Sequence, residues 1–77
     1  MRVEVRLYAT LRRFGPEDNA PVILDVPEGT RLIHVIESLG IPDDVEKIVL
    51  VSGRPAEPDS VLNDGDRIVM FPPVAGG

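Results

Sequence analysis

A single α+β domain, with one helix laid across a mixed sheet, is predicted for this chain on three observations. The first eight residues alternate apolar and polar side chains. Residues 30–40 carry their apolar side chains at helical spacing. Two further apolar runs, Ile48–Val51 and Arg67–Phe71, follow the helix, and Pro72-Pro73 closes the second.

Each element can be justified in order. Val3, Val5 and Leu7 face one way and Arg2, Glu4, Arg6 and Tyr8 the other, the period-two pattern of a half-buried strand. Gly15-Pro16-Glu17-Asp18-Asn19 reads as a turn, and Val22-Ile23-Leu24-Asp25-Val26 supplies a second strand before Pro27, so the two form an antiparallel hairpin. Thr30 is a suitable helix N-cap. Leu32, Val35, Ile36 and Leu39 then recur on one helical face until Gly40, reinforced by Pro42, stops the helix. Ile48-Val49-Leu50-Val51 is continuously apolar, as expected of a strand whose two faces are both largely covered. Beyond Ser52-Gly53, Arg54-Pro55-Ala56 forms a short return strand. After Ser60-Val61-Leu62, the polar turn Asn63-Asp64-Gly65-Asp66 leads into the last strand, in which Ile68 and Met70 face opposite to Val69 and Phe71. These faces are buried most economically when the first and last strands lie side by side at the centre of a four- to five-stranded sheet under the helix. That arrangement is a β-grasp, or ubiquitin-like, fold over residues 1–71, with residues 72–77 as an extended tail.

Composition narrows the function. A chain of 77 residues makes one small domain that buries roughly 60% of the surface its unfolded form exposes. Thirteen acidic residues against eight basic ones give a net charge of -5, which argues against nucleic acid and anionic membranes and for a partner with a basic docking face. The absence of cysteine excludes disulfides, thiolate metal sites and thiol nucleophiles. His34 is the only histidine, so a serine-type triad or a histidine-rich metal site is remote. With no secretory signal and no apolar run long enough to cross a bilayer, the expected location is the cytoplasm.

The sequence ends in Phe71-Pro72-Pro73-Val74-Ala75-Gly76-Gly77. A Gly-Gly end has no side chain to obstruct a narrow channel and reaches backbone conformations closed to other residues. Extended at about 3.3 Å per residue, residues 72–77 would span roughly 20 Å, enough to enter a buried site in another protein. The competing reading is a frayed terminus without a role.

Four segments together resemble the small subunit of molybdopterin synthase along the whole chain. They are Arg6-Leu7-Tyr8-Ala9-Thr10-Leu11-Arg12, the Val51-Ser52-Gly53-Arg54 hairpin, Asp64-Gly65-Asp66, and the tail with its double proline. Ser52 departs from the Asn that this family often carries, a difference that bears on turn energetics. The wider family includes sulfur carriers for thiamine and other pathways, and the double proline resembles the molybdopterin branch most. The resemblance implies that an ATP-dependent enzyme related to ubiquitin-activating enzymes adenylates the Gly77 carboxylate. This fits the chemistry of that group: with a pKa of about 3.5 it is ionised at neutral pH and a poor electrophile. A sulfur donor protein then converts Gly77 to a thiocarboxylate, and Gly76 gives access. The tail enters the large subunit of molybdopterin synthase, where sulfur passes to a cyclic pyranopterin on the way to the molybdenum or tungsten cofactor. On this reading the chain binds no cofactor, the ATP being used by the activating enzyme, and it is the sulfur-donating part of a transferase rather than catalytic by itself. The alternatives are carriage for thiamine or another sulfur pathway, and a ubiquitin-like modifier or binding module.

The remaining candidates concern docking. Tyr8, Phe71 and Val69 fall on the sheet face opposite the helix and suit a docking patch, against the plainer reading of a stabilising cross-strand pair. Pro72 and Pro73 would aim the tail, and Val74 and Ala75 would line its path into the partner. Arg12 and Arg13 suit either contacts to acidic groups or a solvated turn. His34 reads as solvent-facing, and Asp43, Asp44 and Glu46 as a solvated loop rather than a cation site. Phe14 reads as a core residue.

Overall fold

The computed structural model describes every residue except Asn19 and residues 74–77. Five strands, β1 Arg2–Leu7, β2 Val22–Asp25, β3 Ile48–Val51, β4 Arg54–Pro55 and β5 Arg67–Phe71, form one sheet in the order β2-β1-β5-β3-β4. The helix α1 spans Leu32–Ser38, and a 3-10 helix occupies Ala9–Phe14. β1 and β5 pair in parallel, and every other neighbouring pair is antiparallel. The β-grasp arrangement expected from the sequence, with the first and last strands central, is the one observed.

Alternation in the two central strands produces the core. Val3 and Val5 of β1 and Ile68 and Met70 of β5 point to the helix side and are at most 1% exposed. Leu32, Val35 and Ile36 descend on them from α1, while Leu11, Ile41 and Leu62 close the ends. Each such side chain contributes roughly 1.5–3 kcal/mol by leaving water. Among the described residues no polar or charged one is buried. Phe14 packs against this core while only half-buried, with the Arg13 guanidinium 4.9 Å from its ring centroid.

The helix begins one residue later than the sequence suggests. Arg31, not Thr30, is the N-cap. The Thr30 hydroxyl donates to the Pro27 carbonyl at 2.7 Å, which commits it to the preceding turn. The first-turn amides are satisfied by other means: Leu32 N–H donates to the Ser60 carbonyl and Ile33 N–H to the Pro58 carbonyl, at 2.9 and 2.8 Å. His34 Nδ1 accepts the Arg31 N–H at 3.2 Å, so this exposed histidine braces the helix start. At the other end Gly40, at φ 77, turns the chain out of the helix. Its N–H donates to Glu37 and that of Ile41 to Ile36, the paired bonds of a Schellman ending.

Two turns secure the register. Asp64 Oδ1 accepts the Arg2 N–H, and the Gly65 N–H donates back to the Arg2 carbonyl, both at 2.8 Å. Asp66 Oδ2 accepts the Asn63 N–H and Asp66 Oδ1 the Ser52 hydroxyl, at 2.8 and 2.9 Å. The Asp-Gly-Asp segment therefore clamps the start of β5 to the start of β1. Ser52 and Gly53, at φ 50 and 84, join β3 to β4 in a two-residue turn with both residues left-handed.

Open space surrounds a Cβ built at Gly53, so substitution there brings strain without collision. Gly53→Ala is expected to lower stability by about 1–2 kcal/mol, measured by urea unfolding. An unchanged midpoint would show that the turn relaxes without cost.

Candidate functional site on the outer face of the sheet

Because α1 covers only one side of the sheet, the side chains that alternate away from it face outward. The register places Arg6 beside Val69 and Val69 beside Leu50, with Phe71 beside Ile48 in the next row. Tyr8 follows β1, and its N–H donates to the Met70 carbonyl at 3.0 Å, which holds it next to the end of β5. Tyr8 is 44% exposed and Ile48 40%, while Leu50, Val69 and Phe71 are half-buried. Tyr8, Val69 and Phe71, singled out from the sequence, thus share one face. Pro72 and Pro73 continue from β5 and are half-buried. Lacking an N–H, they cannot extend the ladder. Val74, Ala75, Gly76 and Gly77 lie outside the described residues.

β3 departs from expectation. Its continuous apolar run was read as covered on both faces, yet Ile48 is exposed and Leu50 only half-buried. The inward pair, Val49 and Val51, packs against the core; the outward pair has no layer above it. Ile48 and Leu50 therefore join the patch. Sequence reasoning missed them because an unalternating run looks the same whether its second face is covered by the chain itself or by something else.

A charged row borders the apolar one. Glu4 Oε2 accepts Arg6 Nε–H at 2.7 Å and lies 3.1 Å from Arg67 Nε. The Arg6 hydrogen bond is the main reason the Glu4 carboxyl sits below its ordinary pKa; partial desolvation opposes it, and the Arg6 and Arg67 charges add to the lowering. The Arg6 guanidinium is held charged more firmly in turn, first by Glu4 and then by the Tyr8 hydroxyl. Arg2 and Asp25 form a looser pair at 3.4 Å, both highly exposed.

The other candidates lie at the border of this face or beyond it. Arg12 and Arg13 are exposed on the 3-10 helix, and Arg12 shares a hollow with Arg6 and Tyr8. Lys47 Nζ donates to the Val45 carbonyl at 3.1 Å. Among the described residues no three acidic or histidine side chains gather as a metal site would require, Asp43, Asp44 and Glu46 included. No helix among them is long and apolar enough to cross a membrane.

The sign of the Glu4 effect is definite. A carboxyl whose folded pKa is depressed contributes stability in full above its unfolded value and loses it as pH falls through the folded one. Between about pH 7 and about pH 3 the native protein should lose more stability than Glu4→Gln, so the gap between their urea midpoints should narrow on acidification. Parallel losses would count against the Arg6–Glu4–Arg67 coupling.

Comparison with known proteins places this geometry in a family. The family model described as Mut7-C ubiquitin matches residues 1–76. Among solved structures, the small archaeal modifier protein SAMP1 from Haloferax volcanii is 26% identical at a TM-score of 0.78, with 100% of both chains covered. A putative molybdopterin converting factor subunit 1 from Pyrococcus furiosus is 26% identical at a TM-score of 0.76, covering 95% of this chain and 98% of that one. The HVO 2177 protein of Haloferax volcanii is 28% identical at a TM-score of 0.78, covering 100% of this chain and 87% of that one. No curated protein matches the chain in sequence. The fold is that of the ubiquitin-like sulfur carriers and modifiers, and the chain belongs to the Mut7-C ubiquitin family.

Proposed function

We propose that this chain is a sulfur carrier in molybdopterin biosynthesis, acting as the small subunit of a molybdopterin synthase. The observation that carries the reading is the continuity of one strand: β5 contributes Val69 and Phe71 to the apolar outer face and runs directly into Pro72-Pro73 and the Gly-Gly end. A surface for docking and a group for chemistry then follow one another along a single segment. The likeness to a molybdopterin converting factor subunit 1 over nearly the whole chain supports it, and the word subunit in that name suggests a second, larger one as partner here.

In this reading the Gly77 carboxylate attacks the α-phosphorus of ATP on an activating enzyme, and pyrophosphate leaves. Hydrosulfide delivered by a donor protein then attacks the acyl carbon, AMP departs as the C–O bond breaks, and a thiocarboxylate is left on Gly77. Its sulfur attacks a carbon of the pyranopterin precursor in the large subunit and displaces an oxygen substituent, and water then cleaves the acyl–sulfur bond of the resulting thioester, which leaves the sulfur on the pterin and returns the Gly77 carboxylate. The chain supplies no general acid or base for these steps. Its part is to dock, to present an unbranched end, and to carry sulfur without a cysteine that would compete for it.

The likeness to SAMP1, a modifier by name, favours one second reading, in which Gly77 is joined to target lysines instead.

Incubation of the chain ending at Gly77 with ATP, its activating enzyme and a sulfur donor should replace one oxygen by one sulfur, read by intact mass. An isopeptide bond from Gly77 to a lysine, with no sulfur gained, would favour the modifier. Deleting Gly77 should abolish sulfur loading without altering thermal unfolding, because the removed residue has no side chain and the described core runs from Val3 to Met70. Loading of the shortened chain would overturn the assigned role. Phe71→Asp should weaken binding to the large subunit about tenfold or more while the domain stays folded, measured by calorimetry and circular dichroism. Unchanged affinity would remove the outer face from the docking surface.

A further inference from the structure

The charges of this chain are unevenly placed, and their placement describes the partner. Next to the apolar patch the outer face carries Arg6 and Arg67 against Glu4 alone, so this border is net positive although the whole chain carries -5. Farther along β1 and β2, Arg2 stands among Asp25 and Asp64, and the charges there balance toward the acidic side. Net charge taken alone points to a basic partner; the face that holds the apolar patch points to an acidic one.

The arginines also keep unused bonding capacity. Arg6 and Arg67 both reach Glu4 through Nε, and both meet the same oxygen, Oε2. A guanidinium has five N–H donors in a planar fork suited to carboxylates, and these contacts use one apiece. The terminal N–H groups of Arg67 meet no acceptor among the described residues, and the side chain is 62% exposed. Arg6, on β1, is 41% exposed and pairs with Val69, two residues along β5 from Arg67. A hollow of about 160 Å³ lined by Arg6, Tyr8, Arg12 and Pro21 extends the basic border toward the end where β5 meets Pro72.

We propose that the protein covering this face presents an apolar hollow ringed by Asp and Glu side chains, and that those carboxylates take up the guanidinium donors that Glu4 leaves free. Glu4 sets the strength of the attraction, since it neutralises one of the two arginine charges in the free chain. Naming the large subunit and the activating enzyme as such partners rests on the sulfur-carrier reading; the charge argument does not.

The test uses two synthetic amphipathic peptides with the same Leu and Phe residues, one flanked by Glu and the other by Lys, titrated into isotope-labelled protein and followed by NMR. The Glu peptide should shift the amides of Arg6, Val69 and Phe71 and bind about tenfold tighter than the Lys peptide at low salt. The difference should shrink as ionic strength shortens the Debye length below about 10 Å. Arg67→Glu, or the milder Arg67→Gln, should reduce the preference, and Glu4→Gln should enlarge it. Equal binding, preference for the Lys peptide, or no response to either overturns the proposal. With the molybdopterin synthase large subunit as probe, loss of binding in Phe71→Asp but not in Arg67→Glu discards the acidic ring and leaves the sulfur-carrier reading standing. A large subunit indifferent to both variants, with the peptide preference intact, discards that reading and keeps the acidic ring.

Discussion

The parallel pairing of β1 with β5 is the interaction on which the rest of this structure depends. The two strands come from opposite ends of the described chain, and their union brings together Val3, Val5, Ile68 and Met70, the least exposed side chains of the sheet. Parallel neighbours need a long connection, and here that connection carries the helix which covers the inner face. The Asp64-Gly65-Asp66 turn, bonded to Arg2 and to the Glu4 amide, sets where the pairing starts. A slip of one residue would send the core valines outward and Arg6 inward, so every outer-face residue owes its position to this clamp.

One helix over one side of a five-stranded sheet leaves a second side that the chain cannot cover. Where β1 and β2 supply that side, it is mostly charged, Arg2 with Asp25 and Arg6 with Glu4, around the exposed Ile23. Where β5 and β3 supply it, it is apolar, with Val69, Leu50, Phe71 and Ile48 in two adjoining rows. A monomer gains nothing from such rows in water, and their coincidence with the strand that leads into the tail gives them a use. The same division separates charge from net charge. Beside the apolar rows Arg6 and Arg67 stand against Glu4 alone, so the overall acidity of the chain does not describe the border of the patch.

The legibility of these features follows from how local their causes are. The alternation of residues 1–8 and the apolar spacing from Leu32 to Leu39 are consequences of two backbone periods, and both elements lie where those periods place them. The Gly40 stop was likewise readable, because only the local backbone decides a left-handed residue. Thr30 misled, since its hydroxyl could accept from a first-turn amide or donate to a carbonyl, and the Pro27 carbonyl of the preceding turn took it. The amides it was expected to cap went to Ser60 and Pro58, partners almost thirty residues away that no local pattern names. Ile48 and Leu50 misled for a related reason: hydrophobicity reports that a face is avoided by water, without saying which layer covers it.

By itself, then, the sequence determined the elements, their order, the inner core and the chemistry available to the chain, because each of these follows from backbone periodicity or from which functional groups are present. The absence of cysteine and the glycine-only end belong to that class. Tertiary structure decided which side chains become neighbours across strands: that Arg6 and Arg67 share one carboxylate oxygen, that Ile48 and Leu50 extend the patch of Val69 and Phe71, and that a net-acidic chain sets a net-positive border beside that patch. Those relations arise from the register of strands distant in sequence, and register is set by the global burial of the core rather than by any residue's own preference.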